Sequence, residues 1–276
     1  MVATLALVGQ RDLSHNVPMI WKTLTFLAGL WLTATPPAAA ETPNFITLAT
    51  RPGVEQRFAL VEPEKPVANV ILLAGGLGLI VTKKGELNGN FLVRSRNAFA
   101  SHGLRLAIVD APSDRRSSGL SYFRASQEHA TDIAAVVAWL KQRQDLPVWL
   151  IGTSRGSVSA AHLAAKLPPG SIAGIVLTSS VTVTTRSDSD TVLTAALDKI
   201  TVPVLIVNHH DDKCFAAPPG DADTIVRSLT ASPRVEKMVF TGGSPAKSDD
   251  CEAFAPHGYI GIEDKVVADI AAWILK

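Results

Sequence analysis

The sequence predicts an α/β fold, with a mostly parallel central sheet covered by helices on both faces. Short apolar runs rich in β-branched residues alternate with longer amphipathic segments through most of the 276 residues. That is the pattern of buried strands joined by crossover helices. At one junction, Gly152-Thr153-Ser154-Arg155-Gly156 sets a serine between two glycines at a strand-to-helix turn. This turn is the most specific signal in the chain.

Strands are expected near 45–50 and 56–61, then at 68–74, 104–109, 147–151, 172–178, 202–207 and 235–240. Helices are expected near 90–101, 126–143, 155–167, 189–199, 221–230 and 258–275. Ser126 is a good N-cap for the second of these, and Glu128 places an anion in its first turn, where the helix dipole favours one. The run 155–167 is a strong helix former that stops at Pro168-Pro169. Between the strands at 172–178 and 202–207 there is room for one helix and a loop. No large lid domain is expected there.

The N-terminal part reads as a secretory signal over residues 1–40. Lys22 gives a basic start, 24–34 an apolar centre and Ala38-Ala39-Ala40 a small-residue exit, with cleavage expected before Glu41. The segment 1–18 reads as lying upstream of the true initiator, Met19. The apolar centre is well short of the roughly 20 residues that span a bilayer, so no stable membrane span is expected in the mature chain. Residues 41–276 then form a single domain, exported to a periplasm or secreted. In an oxidising compartment the two cysteines, Cys214 and Cys251, are expected to form a disulfide. Neither Cys-x-x-Cys nor a His-rich spacing suggests a metal. With 26 lysines and arginines against 25 aspartates and glutamates, no basic surface invites nucleic acid.

The serine turn carries chemistry. A strained turn between strand and helix lifts a serine hydroxyl to the top of a sheet, and the glycines keep side chains out of the tightly turned backbone. Ser154 is therefore the candidate nucleophile, and an acid and a histidine should follow it in that order. His257 stands in a proline-glycine loop near the C-terminus, Ala255-Pro256-His257-Gly258-Tyr259. The acid belongs in the loop after 202–207, where Asp211 and Asp212 are adjacent; Asp212 leaves more room for the loop to turn back. Asp188 and Asp190 are outside candidates. The oxyanion donors expected are the backbone N–H of Arg155 and that of Gly76 or Leu77, in the loop Gly75-Gly76-Leu77-Gly78. That loop lacks the third glycine of a dinucleotide fingerprint, and Val81-Thr82-Lys83-Lys84-Gly85 is no phosphate loop.

With these residues assembled, the chain resembles the α/β-hydrolases over roughly 45–276, close to a group of exported bacterial members. Three blocks carry the resemblance: His209-His210-Asp211-Asp212-Lys213-Cys214, Cys251 through Pro256-His257-Gly258-Tyr259, and Val109-Asp110-Ala111-Pro112-Ser113-Asp114-Arg115. The first is one residue shorter between histidine and aspartate than in that group, which leaves Asp211 and Asp212 both open. The resemblance implies the fold and a triad of Ser154, His257 and one of these two aspartates, and brings no substrate with it. The expected activity is that of a serine hydrolase on small or medium acyl esters, with a small-molecule ester as partner and no cofactor. A peptidase, amidase or thioesterase would use the same triad; a non-catalytic binding module would not need it. His129 and His162 are read as surface or core histidines. His209 and His210 are candidate pocket or structural residues. Tyr122, Arg124 and Asp114-Arg115-Arg116 are candidate substrate contacts or parts of a solvated loop.

Overall fold

The computed structural model describes residues 44–185 and 188–276. The expected export signal lies outside the described residues. Among the described residues, eight strands form a single sheet in the order β1-β2-β4-β3-β5-β6-β7-β8. They are β1 (Asn44–Arg51), β2 (Val54–Val61), β3 (Ala68–Leu73), β4 (Leu104–Val109), β5 (Val148–Thr153), β6 (Gly174–Thr178), β7 (Val204–His209) and β8 (Val235–Phe240). β1 and β2 run antiparallel to their neighbours, and the other strands are parallel.

β3, β4, β5, β6 and β7 are buried along their whole length. Successive side chains in a strand point to opposite faces, so each of these strands feeds two cores. Ile71, Leu150, Ile175 and Ile206 pack under α3 (Gln127–Arg143), α4 (Arg155–Lys166) and α5 (Ala222–Ser228). Val70, Leu72, Ile151, Val176 and Leu205 face α1 (Phe91–Arg94), α2 (Arg96–Ser101) and α6 (Glu263–Ile274) on the other side. The Ser126 side chain accepts the His129 N–H at 3.0 Å, capping α3 as its sequence predicts.

Three helical expectations need correction. The segment 90–101 is two short helices, α1 and α2, meeting at Ser95. The helix expected over 258–275 starts only at Glu263, because Tyr259 and Gly261 take positive φ, +59° and +81°. No α-helix forms over 189–199; two 3-10 turns, Val192–Thr194 and Leu197–Lys199, occupy that stretch. Thr191 and Thr194 cap one another there, and Ala195 is extended at φ −72°, ψ 152°. Val192, Leu197 and Ile200 are anchored in the core below, so burial overrides the helical preference of this short connection. No inserted helical domain covers the sheet between β6 and β7 among the described residues.

The strand order reverses at β3, which lies between β4 and β5. A crevice opens beyond the carboxyl ends of strands at such a switch point. The loop after β3 and the turn after β5 both end there.

Candidate active site

Ser154 joins β5 to α4 with φ +52° and ψ −127°, a conformation that non-glycine residues rarely adopt. Close backbone packing holds it there. A Cβ on Gly152 would run into the Gly156 carbonyl, and one on Gly156 into the carbonyl of Leu73 in β3. The Ser154 N–H donates to the Thr178 carbonyl at 2.9 Å, and its own carbonyl accepts the Ser157 N–H and hydroxyl. Gly75, in the loop after β3, leaves room for the serine: a Cβ there would sit 3.0 Å from that of Ser154.

Across the cleft, Asp212 and His257 are both buried. The Asp212 Oδ2 is 2.8 Å from His257 Nδ1, and its Oδ1 accepts the Cys214 N–H at 2.9 Å. Asp211 turns to solvent, where its Oδ1 is 2.8 Å from His210 Nδ1, a contact that lowers its carboxyl pKa. Of the two adjacent aspartates, only Asp212 reaches the imidazole. Asp188 lies elsewhere, 3.7 Å from the Arg155 guanidinium, and accepts the Asp190 N–H. His257 Nε2 is buried and has no hydrogen-bond partner among the described residues.

Ser154 and His257 line one cleft of about 650 Å³, together with Gly76, Leu77 and Arg155. As the first residue of α4, Arg155 has a backbone N–H with no acceptor one turn earlier in its own helix. The cleft walls are largely apolar, from Val181, Ala216, Phe215 and Phe254. The disulfide Cys214–Cys251 forms part of them and joins the Asp212 loop to the His257 loop.

Other expected residues sit differently. Arg124 is buried beneath the cleft rather than in a solvated loop, and Asp114 pairs with Arg51. Arg115 lies over the Phe123 ring, and Tyr122 is exposed. His129 Nε2 meets the Ser159 hydroxyl at 3.1 Å, and His162 Nε2 the Thr191 carbonyl at 3.2 Å; both are core histidines. His209 is a structural residue, holding the Gly242 carbonyl and the Asp211 N–H. Sequence reasoning missed the supports of His257. The Ser179 hydroxyl donates to the His257 carbonyl at 2.8 Å, and Arg94 donates to that of Gly258 at 2.5 Å. Tyr259 anchors the same loop by donating to the Val207 carbonyl, and burial raises its phenol pKa. Only Tyr259 carried a sequence signal, its place two residues from the histidine.

No protein-family model and no curated protein matches the chain. Solved structures match it along nearly their whole length. Est1E from Butyrivibrio proteoclasticus is 15% identical with a TM-score of 0.59, over 84% of this chain and 97% of that one. A dienelactone hydrolase from Anabaena variabilis is 14% identical at 0.59, over 85% and 98%. A Pyrococcus furiosus esterase is 13% identical at 0.61, over 84% and 90%. The chain has the α/β-hydrolase fold. In this fold the serine turn follows β5 and the aspartate loop follows β7, both at the carboxyl ends of parallel strands. No group of three or more metal-ligating side chains occurs among the described residues, and no described helix is long and apolar enough to cross a membrane.

Proposed function

We propose that the protein is a serine hydrolase that cleaves small or medium acyl carboxylic esters through an acyl-enzyme on Ser154. One observation carries this reading. His257 lines the same cleft as the strained Ser154, its Nε2 buried and without a partner among the described residues, while Nδ1 is occupied by Asp212. A buried imidazole nitrogen left without a partner is costly, and such groups concentrate where chemistry needs them.

In this mechanism the Ser154 Oγ attacks the ester carbonyl carbon as His257 Nε2 takes its proton. Asp212 holds the ring in the tautomer with hydrogen on Nδ1 and stabilises the imidazolium. Negative charge on the carbonyl oxygen falls to the N–H of Arg155 and those of the Gly76-Leu77 segment. The imidazolium then protonates the departing alkoxide. Water, deprotonated by His257, attacks the acyl-enzyme and releases the acid. The apolar walls around Phe215 and Phe254 suit an aliphatic or aromatic group on the ester. Solved neighbours described as an esterase, a dienelactone hydrolase and a monoglyceride lipase support ester over amide chemistry.

We further propose that the protein is exported; the Cys214–Cys251 disulfide supports an oxidising compartment. Turnover of p-nitrophenyl acetate through octanoate, against the matching anilides and thioesters, tests the activity. Ester hydrolysis with little anilide hydrolysis is expected, and preferred cleavage of anilides or thioesters would replace the reading.

A further inference from the structure

Arg124 is 1% exposed, the most completely buried arginine among the described residues, and the proposed reaction does not use it. Among the described residues no carboxylate forms an ion pair with it. Its guanidinium is spent on neutral groups: Nη1 donates to the Ser159 hydroxyl on α4 at 2.9 Å, and Nη2 to the carbonyls of Ala74 at 3.2 Å and Gly76 at 3.0 Å. Burying a cation without a counter-ion is expensive. The rigid fork of donors on arginine is what a neutral residue cannot supply.

The two carbonyls belong to the oxyanion loop. Gly75 through Gly78 form a tight turn, closed by the Gly78 N–H on the Gly75 carbonyl at 3.0 Å. Gly76 at its first central position has φ +57°, while the φ of Leu77 is not positive, which fits a type II′ turn. Turns of this kind interconvert by flipping the central peptide plane, here the one between Gly76 and Leu77. In a trans peptide the carbonyl and the following N–H point in opposite directions. Holding the Gly76 carbonyl toward the buried side therefore turns the Leu77 N–H toward the cleft that Leu77 lines.

We propose that Arg124 is a positioning residue that locks this peptide plane, so that the Leu77 N–H is already aimed at the oxyanion before substrate arrives. The same side chain ties the loop to α4 through Ser159, keeping oxyanion donors and nucleophile in register. The inference rests on the reading of Ser154 as the nucleophile of ester hydrolysis.

Kinetics on p-nitrophenyl butyrate test it, with Arg124→Lys, Arg124→Met and Ser159→Ala compared to the unaltered protein. A misaimed oxyanion donor acts in the transition state, so kcat should fall about 100-fold in either Arg124 variant with KM within about threefold. Lysine should retain more activity than methionine. Affinity for an aryl trifluoromethyl ketone, which forms a tetrahedral adduct on the serine, should fall in step with kcat/KM. Ser159→Ala leaves the guanidinium in place and serves if neither Arg124 variant folds; its kcat should drop severalfold at constant KM. A folded Arg124 variant, or Ser159→Ala, with the kcat of the unaltered protein overturns the inference, as does a loss confined to KM. If the unaltered protein shows no ester turnover that depends on Ser154, the reading of the site fails first, and this inference with it.

Discussion

The wall of the cleft that carries Ser154 is held by backbone packed on backbone, whereas the wall that carries His257 is held by cross-links between loops far apart in sequence. On the first wall, Gly152 and Gly156 let β5 and α4 close against β3, and the serine is forced into its strained conformation. On the second, Asp212 and His257 come from loops 45 residues apart. A disulfide joins the two loops, and the Ser179 hydroxyl and the Arg94 guanidinium hold the histidine loop in place. The first arrangement is local in sequence and steric in origin. The second is assembled only by the fold. Substitutions on the two walls should therefore fail in different ways.

The largest effect is expected where both walls meet at the reacting atoms. Ser154→Ala should lower ester kcat by about 10⁵-fold or more, and adding His257→Ala should cost little further, because the two act as a unit. Losses that multiply would show that the walls work independently. Next comes the acid. Asp212→Asn should lower kcat by about 10⁴-fold by allowing the wrong imidazole tautomer, while Asp211→Asn should stay near normal. The reverse order, read from steady-state kinetics, would move the acid to Asp211.

Covalent support on the second wall can be removed alone. The bridge joins residues 37 apart, and chain-entropy arguments put its stabilisation near 4 kcal/mol. Reduction should lower the thermal midpoint and, because the bridge links the acid and histidine loops, lower kcat more than it raises KM. A lowered midpoint with unchanged kcat would mean that the disulfide staples the fold without setting the site.

An effect on stability alone, with none expected on turnover, sharpens the account of the interior beneath the first wall. Burial pushes the His129 imidazole down to about 3 from its ordinary 6.5, with Arg124 and Arg51 acting in the same direction. The unfolded chain thus binds a proton there that the folded chain does not. This stability is complete above pH 6.5 and is lost as pH falls from 6.5 toward 3, at up to about 1.4 kcal/mol per pH unit. Denaturant unfolding across that range should show the slope, and His129→Gln should flatten it. An unchanged slope in the variant would assign the acid sensitivity to other groups.

The same contrast explains what could be read from the sequence. The elbow was legible because its geometry is written in consecutive residues: an apolar strand, two glycines around a serine, a helix. The five strands β3 to β7 were legible for a similar reason, since strands buried on both faces are continuous apolar runs. The 189–199 segment was not, because its helical composition is overruled by anchors on α4 and in the core that no local window contains. In one dimension only the room for the loop to turn back favoured Asp212 over Asp211; their divergence depends on which carboxylate the loop turns inward. Arg124 read as part of a solvated loop because a charged residue amid Tyr122, Phe123 and Ala125 gives no hint of complete burial.

The central claim is that Ser154 is the nucleophile of this cleft, and covalent labelling tests it most directly. Protein treated with a fluorophosphonate should gain the mass of one adduct, and peptide mapping should place it on Ser154. Ser154→Ala should gain none, and His257→Ala should react far more slowly. An adduct on another serine, or none on folded protein that still hydrolyses esters, would contradict the account.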